Sequence, residues 1–200
     1  ESLASTIADI SQKSNGRDVE GGAVVVLDVD TAGILACASY PTYNLATYNA
    51  DYNDLLDNPL KPLFNRALQG VFAPGSVFKP VVALAALQEG VISAATTYSC
   101  NGLWVYHDLE QACICGTGTW NVYGALAHSC NTFFSNVGLD LGIDRLGPYA
   151  EYFGLGTTTG VEIGEAPGTM SNRQEYRENH GVSWSDGVTA QTAIGQADNL

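Results

Sequence analysis

Apolar residues Leu3, Ile7 and Ile10 recur at helical spacing among Ser, Asp and Gln, and the pattern stops at Asn15-Gly16, a pair suited to a helix C-terminal cap. A short amphipathic helix is predicted there. After the polar break Arg17 to Glu20, the runs Ala23-Val24-Val25-Val26-Leu27 and Ile34-Leu35-Ala36-Cys37-Ala38 flank an Asp/Thr/Gly turn over 28–33, which predicts a β-hairpin. The first run is apolar on consecutive positions, so both of its faces should be covered, as in a central strand with helices on at least one side. The class expected is α/β. Residues 40–58, rich in Tyr, Asn, Asp and Pro without a period, read as loop. Val81 to Leu87 reads as helix, 96–119 as irregular with three cysteines, Val122 to Leu141 as one helix ending near Gly142, and Leu146 to Phe153 as a shorter helix closing before Gly154 and Gly156. Residues 160–186 are polar and Gly-rich, and Val188 to Ile194 begins another helix. No internal repeat is present.

Composition narrows the function. Eight basic against 21 acidic residues give a net charge of −13, a field that repels phosphate backbones and anionic lipid surfaces, so no nucleic-acid partner is expected. The longest apolar run, Ala23 to Leu27, is far short of the roughly 20 residues of a membrane span. The chain opens at Glu1 without an initiator Met or a signal segment and reads as an excised piece of a longer protein. Five cysteines, 37, 100, 113, 115 and 130, are too few for a disulfide-built scaffold, and their odd number leaves at least one unpaired.

The most informative stretch is Pro74-Gly75-Ser76-Val77-Phe78-Lys79-Pro80 before the apolar helix. It places Ser76 at a helix start, where Ser is a favoured N-cap, and Lys79 one turn on, within reach of the hydroxyl. Serine is a poor nucleophile without a neighbouring base, and lysine serves as that base only when burial or nearby positive charge keeps it neutral; Phe78, Val81 and Val82 can supply the burial. A bare Ser-x-x-Lys more often marks only a capping serine and a solvated lysine, since such spacings arise by chance. Ser129-Cys130-Asn131, about fifty residues on, is expected just inside a helix, where it offers a hydroxyl for proton relay and an amide for a substrate peptide group. Alone it also fits a buried Ser and Asn that satisfy backbone groups. His128 beside Ser129 makes a poor dyad, because adjacent helical residues do not face each other. Asp51, Asp54 and Asp57 fit no EF-hand spacing and read as a solvated loop.

Both motifs, in this order and each at a helix start, resemble the class B penicillin-binding proteins, the monofunctional D,D-transpeptidases of peptidoglycan synthesis. Similar text recurs in Gly22-Ala23-Val24-Val25-Val26-Leu27-Asp28 with Gly33-Ile34-Leu35-Ala36, in Ala38-Ser39-Tyr40-Pro41, in Asn65-Arg66-Ala67, in Phe153-Gly154-Leu155-Gly156 with Thr159-Gly160, and in Ala193-Ile194-Gly195-Gln196. The resemblance covers nearly the whole chain. It implies the penicillin-binding-protein/β-lactamase-like transpeptidase fold, an antiparallel sheet with helices plus an all-α lobe. It implies Ser76 as the acylated nucleophile, Lys79 as its base, Ser129 as the proton shuttle to the leaving D-alanine, and Asn131 as the residue that holds the substrate amide and orients Lys79. Partners implied are peptidoglycan stem peptides, β-lactams and, for the parent protein, other cell-wall synthesis proteins, at the extracytoplasmic face of the bacterial membrane; no cofactor or metal is implied.

The expected organisation is a single partial transpeptidase domain, with 1–75 mainly α/β, 76–155 mainly an all-α lobe, and 156–200 returning toward the sheet. The family's Lys-Ser/Thr-Gly strand is absent, since the only lysines are Lys13, Lys61 and Lys79. The fold is therefore expected to be incomplete at its C-terminus and the 200-residue piece inactive or nearly so, because one oxyanion-hole donor alone is worth about a hundredfold in rate or more. For an extracytoplasmic protein, a disulfide from Cys100 to Cys113 or Cys115 is preferred over a zinc site, given that Cys-x-x-Cys knuckles are missing, and Cys37 and Cys130 read as small buried hydrophobes. Two other functions remain open: a β-lactam sensor or serine β-lactamase, which share Ser-x-x-Lys but lack text like Asn65-Arg66-Ala67 and Phe153-Gly154-Leu155-Gly156, and a non-catalytic cell-wall scaffold.

Overall fold

The structure, a computed structural model, describes residues 2–13 and 19–200. The chain divides into two compact units, 1–71 with 161–166, and 72–160 with 167–200. Of the stretch expected to return toward the sheet, only 161–166 cluster with the first unit.

In the first unit, α1 (Ser2–Lys13) precedes the antiparallel hairpin of β1 (Gly22–Leu27) and β2 (Ile34–Tyr40). The stop at Asn15-Gly16 lies outside the described residues. Ile7 is buried and lies over Gly22, where a β-carbon would stand 3.1 Å from its Cδ1. The turn works through Asp28, whose carboxylate accepts from the Asp30 and Thr31 amides and from the Thr31 hydroxyl. Those bonds hold the Asp28 carboxyl below its ordinary pKa, the Thr31 side chain first. The expectation that β1 is covered on both faces is corrected: among the described residues it pairs only with β2, and Val24 to Leu27 remain 41–52 % exposed. Two segments that carried the family resemblance meet here. Ser39 Oγ donates to Asn65 Oδ1 at 3.1 Å and accepts the Ala67 amide, while Arg66 donates to the carbonyls of Leu60 and Lys61.

The loop expected over 40–58 contains α2 (Tyr48–Asp57), which has no buried residue. A helix that buries nothing needs no apolar stripe, so hydrophobic periodicity had nothing to register. Asp51, Asp54 and Asp57 accordingly lie on an exposed helix.

In the second unit, a 3-10 turn (Gly75–Phe78) leads into α3 (Lys79–Gln88); then follow the long hairpin β3 (Tyr98–Tyr106) and β4 (Leu109–Trp120), α4 (Val122–Ala127), α5 (Asn131–Leu141), α6 (Ile143–Tyr152), α7 (Arg173–His180) and α8 (Asp186–Thr192). Residues 96–119 are thus a hairpin and not irregular, and the lobe containing them is not purely helical. Its strands are Gly-, Thr- and Cys-rich and its turn is His107-Asp108 with His107 at φ 54°, so neither β-branched runs nor an Asn-Gly turn marked it. Its inward side chains, Cys100, Trp104 and Cys113, are buried, and Trp104 Nε1 donates to Asn136 Oδ1 of α5.

The helix expected over 122–141 is broken. The Ser129 amide bonds to the Leu126 carbonyl and the Cys130 amide to that of Ala125, a Schellman ending of α4 with Ser129 in the left-handed position at φ 53°. Cys130 then N-caps α5, its sulfur accepting the Phe133 amide. Phe133, Phe134, Val137 and Leu141 of α5 pack with Val82, Ala85, Ala86, Leu146 and Ala150 into the core. Against α8, α5 presents Gly138, where an added β-carbon would fall 2.4 Å from the Ala193 β-carbon.

Gly138→Ala is expected to destabilise the protein by about 1–3 kcal/mol, since both facing atoms belong to packed helices. Urea unfolding of wild type and variant measures this, and an unchanged midpoint would refute the tight α5–α8 approach.

Candidate active site

Ser76 lies in the 3-10 turn, one residue after Gly75, and Lys79 is the first residue of α3. The expected capping role of Ser76 is corrected: the turn and α3 start at Pro74 and Phe78 caps without side-chain hydrogen bonds. Ser76 Oγ is left to other partners. The motif Ser129-Cys130-Asn131 occupies the break between α4 and α5, not the inside of a helix. Left-handed backbone at Ser129 costs about 1 kcal/mol, and it turns both the carbonyl and the hydroxyl of one residue toward the same amine.

That amine is Lys79 Nζ. The residue is only 1 % exposed, and its nitrogen lies 3.1 Å from Ser76 Oγ, 3.0 Å from Ser129 Oγ, 2.9 Å from the Ser129 carbonyl and 2.7 Å from Asn131 Oδ1. Ser129 Oγ donates to Ser76 Oγ at 2.8 Å, which closes a ring of three groups. All four residues named from sequence therefore meet in one place, drawn from the 3-10 turn, α3 and the α4–α5 break.

Burial lowers the Lys79 pKa from the ordinary lysine range, opposed in part by the charges of Cys113, Cys130 and Cys115. The Ser129 carbonyl, Asn131 Oδ1 and Ser129 Oγ, whose own proton goes to Ser76 Oγ, accept from the amine, so Ser76 Oγ is the hydroxyl placed to hand it a proton when the amine is neutral. An amine so held can receive the Ser76 proton. Asn131 is itself fixed, its Nδ2 donating to the Ala112 carbonyl of β4 at 3.1 Å.

Behind the Ser129–Asn131 segment lies a feature that spacing rules passed over. The sulfurs of Cys100, Cys113, Cys115 and Cys130 lie within 4.8 Å of one another, three of the separations being 3.4, 3.5 and 3.7 Å. These contacts are too long for bonds, and all five cysteines are free thiols, so the disulfide preferred from sequence is not formed. Cys37 is exposed and not a buried hydrophobe, while Cys130, though buried, belongs to the cluster. The thiols come from β3, from alternate positions of β4 and from a helix cap, a set that no Cys-x-x-Cys search detects. Tetrahedral coordination by sulfur at about 2.3 Å places the sulfurs about 3.8 Å apart, so the four thiols fit one thiophilic divalent ion such as zinc. Backbone amides of Asn131, Phe133 and Gly102 already point at the sulfurs of Cys113, Cys130 and Cys100, as anionic ligands require. Burial pushes the Cys113 thiol up, but bonds from the Thr132 and Cys115 amides and from neighbouring thiols outweigh it and bring it down to about 6.

A unit that gathers Ser-x-x-Lys and Ser-x-Asn around one buried amine is the arrangement of the penicillin-recognising transpeptidases. The chain belongs to the penicillin binding protein transpeptidase domain family, which it matches over residues 22–200. It is 39% identical over 187 residues to the peptidoglycan D,D-transpeptidase MrdA of Escherichia coli K12, a match that covers 87% of this chain and 29% of that protein. Among solved structures it resembles the PBP2 of Helicobacter pylori in a complex with MreC (TM-score 0.83, 28% identity, 97% of this chain and 37% of that one). It also resembles penicillin-binding protein A of M. tuberculosis in a ceftriaxone acyl-enzyme complex (TM-score 0.76, 28% identity, 89% and 41%). The chain spans less than a third of the length of the curated relatives it matches.

Two predictions follow from this geometry. In the full-length protein, the rate of acylation by a fluorescent penicillin should fall on the acid side as Lys79 becomes protonated, and level off below the ordinary lysine pKa of about 10.4. A rate that climbs through pH 10 without levelling would mean that burial has not depressed it. The purified protein should carry one zinc per chain by elemental analysis, and Cys113→Ser together with Cys115→Ser should remove the metal and lower the melting temperature. Wild-type protein that is metal-free and shows all five thiols to Ellman's reagent in denaturant without reductant would contradict this.

Proposed function

We propose that this chain is the serine-bearing part of a peptidoglycan D,D-transpeptidase that works through an acyl-enzyme and is acylated by β-lactams at the same atom. The observation that carries the reading is the Lys79 amine, shut from solvent and within hydrogen-bond reach of both serine hydroxyls. Lys79 takes the proton as Ser76 Oγ attacks the carbonyl of the penultimate D-alanine of a stem peptide. The C–N bond to the terminal D-alanine breaks, and its amine leaves with a proton passed from Lys79 through Ser129, whose Oγ lies 3.0 Å from the lysine nitrogen. A second strand's amine then attacks the ester, the cross-link forms, and Ser76 recovers its proton. Asn131 orients Lys79 through Oδ1 and holds the substrate amide. Membership of the transpeptidase family and the ceftriaxone acyl-enzyme complex of the M. tuberculosis relative support this sequence of steps.

The substrate places the work outside the cytoplasmic membrane, among other cell-wall synthesis proteins; no helix among the described residues is long and apolar enough to cross a membrane. Cys100, Cys113, Cys115 and Cys130 would hold a zinc ion, which would cross-link β3, β4 and the α5 cap.

The test is intact-mass analysis of the full-length protein after exposure to benzylpenicillin. A single stable adduct on Ser76, absent from Ser76→Ala and formed about a hundredfold or more slowly by Lys79→Ala, is expected. An adduct that survives Ser76→Ala, or rapid turnover of the lactam without accumulation, would overturn the reading.

A further inference from the structure

The segment Ala193-Ile194-Gly195-Gln196 follows α8, and none of its side chains takes part in the Ser76 site. Its backbone does something else. The Gly195 amide bonds to the Thr192 carbonyl and the Gln196 amide to that of Gln191, a Schellman ending of α8 in which Gly195 is left-handed at φ 75°. The Gly195 carbonyl then accepts the Gly75 amide at 2.8 Å. A β-carbon on Gly195 would fall 2.0 Å from the Gly75 carbonyl oxygen and 2.7 Å from both the Gly75 carbonyl carbon and its nitrogen. Glycine is thus required here twice, for its φ and for the approach of two backbones.

Gly75 is the residue before Ser76 and the first of the 3-10 turn, so its amide has no partner inside the turn. We propose that Gly195 and Gly75 form a backbone clasp that sets the position of Ser76 Oγ, which makes Gly195 a positioning residue for acylation; the inference rests on Ser76 as the nucleophile. The clasp is anchored. Thr192 and Ala193 are fully buried and Ile194 is nearly so, and Ala193 seats on Gly138 of α5. The same α5 begins with Asn131, which binds Lys79. The chain before the nucleophile and the residues that hold its base are therefore tied to one helix. On the other side Ser76 is held by buried Phe78 and Lys79, so the clasp supplies the second fixed end of the turn. A reacting oxygen that drifts by about 1 Å loses about a hundredfold in rate, so this end carries catalytic weight without touching substrate.

The experiment is rapid-quench acylation of the full-length protein by a fluorescent penicillin, resolved into the dissociation constant of the encounter complex and the acylation rate constant. Gly195→Ala is expected to lower the rate constant by about thirtyfold or more while the dissociation constant shifts by less than about threefold. Gly90→Ala is the control: Gly90 also has a positive φ, 67°, after α3, but nothing lies within 4 Å of an added β-carbon, so it carries the strain without the collision. Its acylation should match wild type. Should Gly195→Ala not fold, replacing Gly75 by glycolate, which exchanges the N–H for an ester oxygen and adds no bulk, should lower the rate constant by about tenfold. Wild-type rate constants in Gly195→Ala or in the glycolate variant, or an equal loss in Gly90→Ala, would overturn the clasp. A wild-type protein that takes no label at all would instead overturn the transpeptidase reading, and the clasp with it.

Discussion

The chemistry proposed for Lys79 needs its amine in a dry place and uncharged at the moment it takes the Ser76 proton. Burial favours the neutral form of lysine, and a neutral amine out of water needs acceptors for its two N–H bonds and a donor for its lone pair. Specific groups meet these demands: the Ser129 carbonyl, Asn131 Oδ1 and Ser129 Oγ can accept, and Ser76 Oγ, which accepts from Ser129 Oγ, can donate. A continuous helix through 122–141 would not turn the Ser129 carbonyl this way. The break between α4 and α5, with its left-handed Ser129, is therefore part of the site.

Holding that break open requires support from behind, and the apolar core of the second unit supplies it. The hairpin β3–β4 packs Tyr98 and Trp120 against that core and fixes Asn131 through the Ala112 carbonyl and the Cys113 sulfur. Four thiols gathered from β3, β4 and the α5 cap meet at this core, three of them within it. Buried amides directed at three of the sulfurs stabilise negative charge there, so the same group of atoms that caps α5 also suits a soft cation.

Backbone conformations that favour glycine cluster around this site. Gly75, Ser129 and Gly195 all have positive φ, and each turns a peptide group toward a partner that regular helix would not reach. Such conformations persist where neighbouring contacts over-determine them, here the packing of α5 on α3, on α8 and on the hairpin.

Much of this was legible in the chain itself. The Ser76-to-Lys79 spacing, the Ser129–Asn131 motif, α1, the first hairpin, α3, α6 and α8 follow from local rules, since period, caps and turns depend on residues a few positions apart. What local rules missed was made by contacts distant in sequence. The hairpin over 98–120 stands because Cys100, Trp104 and Cys113 pack against α5, the helix over 48–57 buries nothing that a period could reveal, and the break at Ser129 is stabilised by a lysine fifty residues earlier. The thiol cluster escaped for the same reason, since its four sulfurs converge only when β3, β4 and the α5 cap pack together. Sequence alone determined which chemical groups were available and in what order; packing decided that the amine would be dry, that two hydroxyls would share it, and that four sulfurs would meet, because burial and convergence are properties of the folded chain and not of any segment.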